Sequence, residues 1–317
     1  MRAELEQVEL GRIEQIRSLR SLFGLQSVST SALAALAAHT TPVRIPRGVE
    51  LATEGQPVDE MYVVIEGELA TSRAGKQLGV FGPRSAVGAL AAFAHDMYGY
   101  RCIATRETVA LAMRAEEVLE VFEDHFEMLL TVLRAVARES IDTRLALPGA
   151  GFSDEIRTDV ARPTRQLDLV ERLFCLRESF SIGLTHLDAL AEIARTSREV
   201  HYPAGTQLWR VGDRSEQMVI LVSGVIGART ANDMRFRFGP RDILGSLDTV
   251  AAVPRWYDAI VQEDVIALSH DAEVMIDLWE DHTELGFGIL QLLAAMLLSL
   301  RERLYAEPTA HAEHAST

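Results

Sequence analysis

The feature that most constrains this chain is internal. Pro46, Gly48, Gly55, Gly67, Gly82, Pro83 and Gly88 recur 157 positions later as Pro203, Gly205, Gly212, Gly224, Gly239, Pro240 and Gly245. The paired segments read PRGVEL…EG…MYVVIEGEL…FGP…VGAL and PAGTQL…VG…MVILVSGVI…FGP…LGSL, with no insertion or deletion between them. Glycine and proline at fixed offsets mark turns, because they meet backbone demands that other residues meet only at a cost. The runs between them are rich in Val and Ile and read as strands. The register persists to Asp124-His125 and Asp281-His282. Solenoid units are far shorter, so the pattern is a domain duplication.

Length agrees, since 317 residues suggest about two domains. Hydrophobic residues at 48% with charged residues at 24% are ordinary for a globular protein with real cores. A net charge of −15 argues against a nucleic-acid partner, which needs clustered Lys and Arg. Cys102 and Cys175 have no motif spacing and read as two reduced, buried thiols, and no metal site is expected. The N-terminus is charged and lacks an apolar signal core. The apolar run from Gly286 to Leu300 is interrupted by Gln291 and reads as too short for a membrane span. The expectation is a cytoplasmic protein without a membrane partner.

Along the chain, residues 1–18 form a charged extension. The first domain covers 19–146 and opens with short amphipathic helices through Leu22, Phe23, Leu33 and Leu36. A β-rich block runs from Val43 to Met113, interrupted by a turn and short helix in FGPRSAVGALAAFA. Helical spacing follows from Glu116 to Leu145. Pro148, Gly149 and Gly151 mark a linker, 147–168. The second domain covers 169–306, and the tail 307–317 reads as disordered.

This order of helix, roll of strands, turn with short helix, strands and long helix resembles the cyclic nucleotide-binding domain, in two copies. The resemblance rests on the P-x-G…L…x-G opening, the MYVVIEGEL strand and turn, and the FGP…Gly-x-Leu segment. It implies an α+β, mainly β fold: two β-rolls (double-stranded β-helices), each flanked by helices. It also implies a cyclic mononucleotide ligand, cAMP or cGMP. In that family a Gly-Glu-Leu turn begins a short helix whose amides approach the cyclic phosphate. The Glu holds the ribose hydroxyl, and an Arg about ten residues on pairs with the phosphate through its two-pronged guanidinium.

Both copies depart from that pattern. The first reads Gly88-Ala89-Leu90, with a methyl group in place of the carboxylate. Counting back from Val109 puts Gly99 at the arginine position, and Arg101, two residues on, would share its facing on a strand. The second reads Gly245-Ser246-Leu247, and Arg255 stands ten residues after the glycine. Trp256 and Tyr257 follow it and either fill the pocket or stack on a base. Loss of the carboxylate–hydroxyl bond should cost about 1.5–3 kcal/mol, roughly one to two decades of affinity. The second copy is therefore the stronger ligand candidate, with Gly245, Ser246, Leu247, Arg255, Trp256 and Tyr257. Gly88, Ala89, Leu90 and Arg101 form the weaker one.

No enzyme signature accompanies these features. The histidines form no ligand set, and His125 and His282 read as helix-end residues. No nucleophile elbow, phosphate loop or dinucleotide fingerprint is present. The residues after Tyr305 are too few for a helix-turn-helix domain. Two readings result for what is expected to be a bacterial protein without catalysis: a sensor or regulatory adaptor acting through a protein partner, or an interaction scaffold with both nucleotide pockets degenerate. Leucines 290, 293, 297, 300 and 304 make an apolar seam on the last helix. Phe126, Leu129, Leu133 and Val136 make its counterpart. The seams pair either within one chain, as a pseudo-dimer, or between chains, as a homodimer.

Overall fold

A computed structural model describes residues 5–22, 24–152, 156, 162–179 and 187–306. Phe23 and the tail 307–317 lie outside the described residues. The chain divides into two compact units, residues 1–132 with 293–317, and residues 133–292.

Unit 1 starts with β1 (Glu6–Gln7), α1 (Arg12–Arg20) and α2 (Thr30–Ala38). The α2 start is fixed by Ser29, whose hydroxyl accepts a bond from the Ala32 amide at 3.3 Å. Strands β2 (Thr41–Ile45), β3 (Glu50–Ala52), β4 (Glu60–Glu66), β5 (Leu69–Arg73), β6 (Lys76–Phe81) and β7 (Ala86–Val87) lead to α3 (Ala89–Phe93). The roll ends with β8 (Arg101–Ala104) and β9 (Thr108–Arg114), followed by α4 (Ala115–Asp124) and α5 (Phe126–Leu145). Two antiparallel sheets result, ordered β1-β2-β9-β4-β7 and β3-β8-β5-β6. Their inner faces enclose Val43, Ile45, Tyr62, Val64, Leu69 and Cys102, and Leu298 packs against this core.

Unit 2 repeats the plan with α6 (Leu169–Ser179), α7 (Leu187–Thr196), β10 (Arg198–Tyr202) and β11 (Gln207–Trp209). Then come β12 (Gln217–Thr230), β13 (Arg235–Phe238), β14 (Ile243–Leu244), α8 (Ser246–Ala251) and β15 (Tyr257–Asp271). One sheet is ordered β10-β15-β12-β13, with β11 on β15 and β14 on β12. Its core gathers Val219, Leu221, Ile226, Phe236, Phe238 and Ala267. The closing helices are α9 (Ala272–Asp281) and α10 (Thr283–Ala306). The fold is thus α+β and mainly β, two β-rolls flanked by helices. His125 and His282 are the non-helical residues that end α4 and α9.

Two expectations change. The N-terminal extension contains a strand as well as a helix, because β1 adds to the sheet through Glu6↔Arg44 and Gln7↔Val43. The last helix is longer than its most apolar run. Thr283–Tyr305 meets the length and hydropathy of a membrane span. Leu290, Leu293, Leu297 and Leu300 are buried along it, within a window that is 39% buried.

Candidate functional site

In the second roll, Gly245 sits between β14 and α8 with φ of +69°. A Cβ there would lie 2.3 Å from Arg255 Nη1 and 3.0 Å from the Gln217 carbonyl oxygen, so only glycine fits. Arg255 is 2 % exposed. Its Nη1 donates to the Gly245 carbonyl and to Asp248 Oδ1, both at 3.2 Å, and its Nη2 donates to the Gln217 carbonyl at 2.5 Å. The guanidinium carbon also stands 4.1 Å from the centre of the Trp209 ring. Asp248, on α8, is fully buried. Burial pushes its carboxyl up from the usual carboxylate range, and Arg255 opposes that shift. Among the described residues, Asp248 Oδ2 and Arg255 Nε have no hydrogen-bond partner.

The Gly245 amide, which the resemblance aims at a phosphate, donates instead to the Tyr257 hydroxyl at 2.9 Å. Burial raises that phenol's pKa. Tyr257 lies among Trp209, Phe236, Phe238 and Trp256, with ring centres 4.9 to 5.9 Å away. The polar groups of the turn are thus engaged within the chain. Arg255 serves an internal carboxylate and two carbonyls, and Trp256 and Tyr257 fill the roll. Leu247 is buried beside them, and Ser246 is only partly exposed.

The first roll has the same turn with different furniture. A Cβ on Gly88, φ +97°, would lie 2.3 Å from the Glu60 carbonyl oxygen, the counterpart of Gln217. Burial raises the pKa of Tyr100, and its hydrogen bond with the Gly88 backbone opposes that shift. The arginine position is not Gly99. Gly55 donates to the Tyr98 carbonyl at 2.7 Å, just as Gly212 donates to the Arg255 carbonyl at 2.9 Å. The ladders agree, pairing Ile45 with Thr108 and Tyr202 with Val265. Thr108, not Val109, is therefore the counterpart of Val265, and exposed Tyr98 stands where Arg255 does. Arg101 does not replace it: its Nε donates to Glu50 at 2.8 Å on the exposed strand surface. That bond holds the Glu50 carboxyl below its usual range. Ala89 and Leu90 contribute no polar side chain. Arg73 instead crosses this region, donating to the Gly99 carbonyl at 2.7 Å and pairing with Asp96 and Glu302.

A cavity of about 850 Å³ opens in the first roll. Val43, Leu51, Tyr62, Val87, Tyr100 and Cys102 give it an apolar floor, while Glu50, Asp59, Glu60 and Glu117 outnumber Arg114 around it. Burial pushes the Cys102 thiol up to about 12, which leaves it unreactive at neutral pH. An acidic surround of this kind repels a cyclic phosphate. Among the described residues, no three His, Cys, Asp or Glu side chains are placed to hold a metal ion.

Sequence reading missed Asp248, Trp209, Gln217 and Phe236. One signal was available. Relative to the repeat, Asp248 and Arg255 replace Ala91 and Tyr98, so an acid and a base enter the same copy together.

The family model for the cyclic nucleotide-binding domain matches residues 42–125 and 199–282. A CRP-like cAMP-activated global transcriptional regulator of Mycobacterium tuberculosis is 30% identical over 167 residues, which is 50% of this chain and 72% of that protein. The N-terminal domain of a transcriptional regulator from Streptomyces coelicolor A3(2) is 28% identical with a TM-score of 0.37, covering 44% of this chain and 99% of that one. The cAMP-bound regulatory domain of Toxoplasma gondii PKA is 16% identical with a TM-score of 0.34, covering 87% and 96%. With both of its rolls matched, the chain belongs to the cyclic nucleotide-binding domain family.

Proposed function

We propose that this protein is a non-enzymatic regulatory adaptor of the cytoplasm, whose second roll is closed by its own residues and binds no cyclic mononucleotide. Its output passes through contacts with another protein. The observation that carries this reading is the buried Arg255–Asp248 pair. A cyclic phosphate would have to displace a carboxylate that is already desolvated, and a Tyr257 hydroxyl that already holds the Gly245 amide. The first roll offers no arginine at the equivalent position and an acidic cavity instead.

Calorimetric titration of cAMP and of cGMP onto the full chain tests this, with Arg255→Ala alongside. The expected result is no saturable heat from either nucleotide. Binding by the wild type that Arg255→Ala abolishes would overturn the reading. It would restore the sensor alternative, with Gly245, Ser246, Leu247 and Arg255 as the phosphate site.

A further inference from the structure

The second roll does hold an aromatic ring in its slot, and that ring comes from the chain itself. Beyond α5, residues 147–152 turn toward the second roll within unit 2, with Leu147 and Ala150 buried. Ala150 belongs to the core of that roll. It gets there through left-handed backbone at Gly149 and Ala150, φ of 56° and 52°, a conformation strained for alanine. Arg144 fastens the turn: its Nη1 donates to the Ala150 carbonyl at 2.9 Å, and its guanidinium carbon lies 4.1 Å from the centre of the Phe152 ring.

Phe152 lies flat on Phe236, 4.4 Å between centres and 9° between planes. Phe238 meets it edge-on at 5.2 Å, and Trp256 is nearly parallel at 6.5 Å and 18°. The repeat sharpens the point. The residues equivalent to Phe236 and Trp256 in the first copy are Gly79 and Gly99. Both stacking walls are thus present in the copy that receives a ring and absent from the other.

We infer that this slot is a binding site for a flat aromatic ring, occupied in cis by Phe152, and open to a phosphate-free ring compound of nucleoside size once Phe152 leaves. The ligand lacks phosphate because Arg255 and the Gly245 amide are engaged elsewhere. This inference rests on the reading that the second roll binds no cyclic mononucleotide. Stacking between parallel rings, rather than charge pairing, supplies the recognition. The arrangement resembles an engineered cavity that stays apolar and takes up an aromatic guest.

The test uses the full chain and its Phe152→Ala variant, with indole, adenosine, cAMP and cyclohexanol as probes. Melting temperature and tryptophan emission are the readouts. Wild type should respond to none of them. Phe152→Ala should be stabilised by indole and adenosine, with at least tenfold weaker binding of cyclohexanol and no advantage for cAMP over adenosine. Phe152→Leu, which keeps apolar volume without a ring, should show the same ranking at reduced affinity and serves if the alanine variant does not fold. Equal binding of indole and cyclohexanol, or no response from a folded variant, would overturn the slot. A variant that bound cAMP tenfold tighter than adenosine would keep the slot and sink the reading of a closed phosphate site.

Discussion

Arg255 and Asp248 show how one pair of substitutions changes what a pocket can do. An arginine cannot shed its charge, so a carboxylate beside it resolves the burial of both. Such a pair is costly to assemble and more costly to break. Arg255→Ala should therefore destabilise the protein by about 3–5 kcal/mol, by stranding Asp248. The double variant Arg255→Met/Asp248→Leu should recover most of that loss, since both charges leave together. Urea unfolding midpoints of the three proteins decide the matter. A change below about 1 kcal/mol for Arg255→Ala would mean the pair behaves as an exposed ion pair. From sequence, Arg255 was legible by its spacing, whereas its partner was not. An arginine ten residues past a glycine looks the same whether it faces a phosphate or an aspartate seven residues away. Only burial tells them apart.

Elements were easier to read than partners. Turns carry their own chemistry, so glycine and proline at constant offsets located nearly every strand and the two short helices. β1 escaped because two residues that add to an edge leave no periodicity. The repeat also exposes where the copies diverge. At the junction of α7 with β15, His270 replaces Met113 and is 3 % exposed. Its Nε2 lies 3.3 Å from the Ser197 hydroxyl, and burial lowers its pKa to about 4. The unfolded chain, with an ordinary histidine near 6.5, therefore binds a proton that the folded chain refuses. This contribution to stability is whole above pH 6.5 and is lost as pH falls from 6.5 through 4, about 3 kcal/mol in all. His270→Met, which installs the residue of the first copy, should flatten that part of the profile. Parallel loss of stability in both proteins between pH 6.5 and 4 would show that the imidazole is not the group responsible.

For the whole molecule, the open question is what covers the two leucine-rich seams. Sequence alone left a pseudo-dimer and a homodimer equally available, since helical spacing reports an apolar face and not its partner. The single chain already buries Leu129, Leu133 and Val136 on α5, and Leu290, Leu293, Leu297 and Leu300 on α10. Unit 1 also takes in the second half of α10, where Glu302 pairs with Arg73 and Leu298 joins the first core. Of the residues in the two seams, Phe126 and Leu304 stay half-buried, a small apolar remainder for a second copy. Light scattering should therefore return the mass of one chain at all practical concentrations. The variant Leu293→Glu/Leu297→Glu separates the cases further. Carboxylates placed at buried, unpaired positions should collapse the cooperative unfolding transition of the monomer. If wild type were instead a dimer and these changes produced a folded monomer, the seam would be an interface between chains, and the burial seen in one chain would have another occupant in solution.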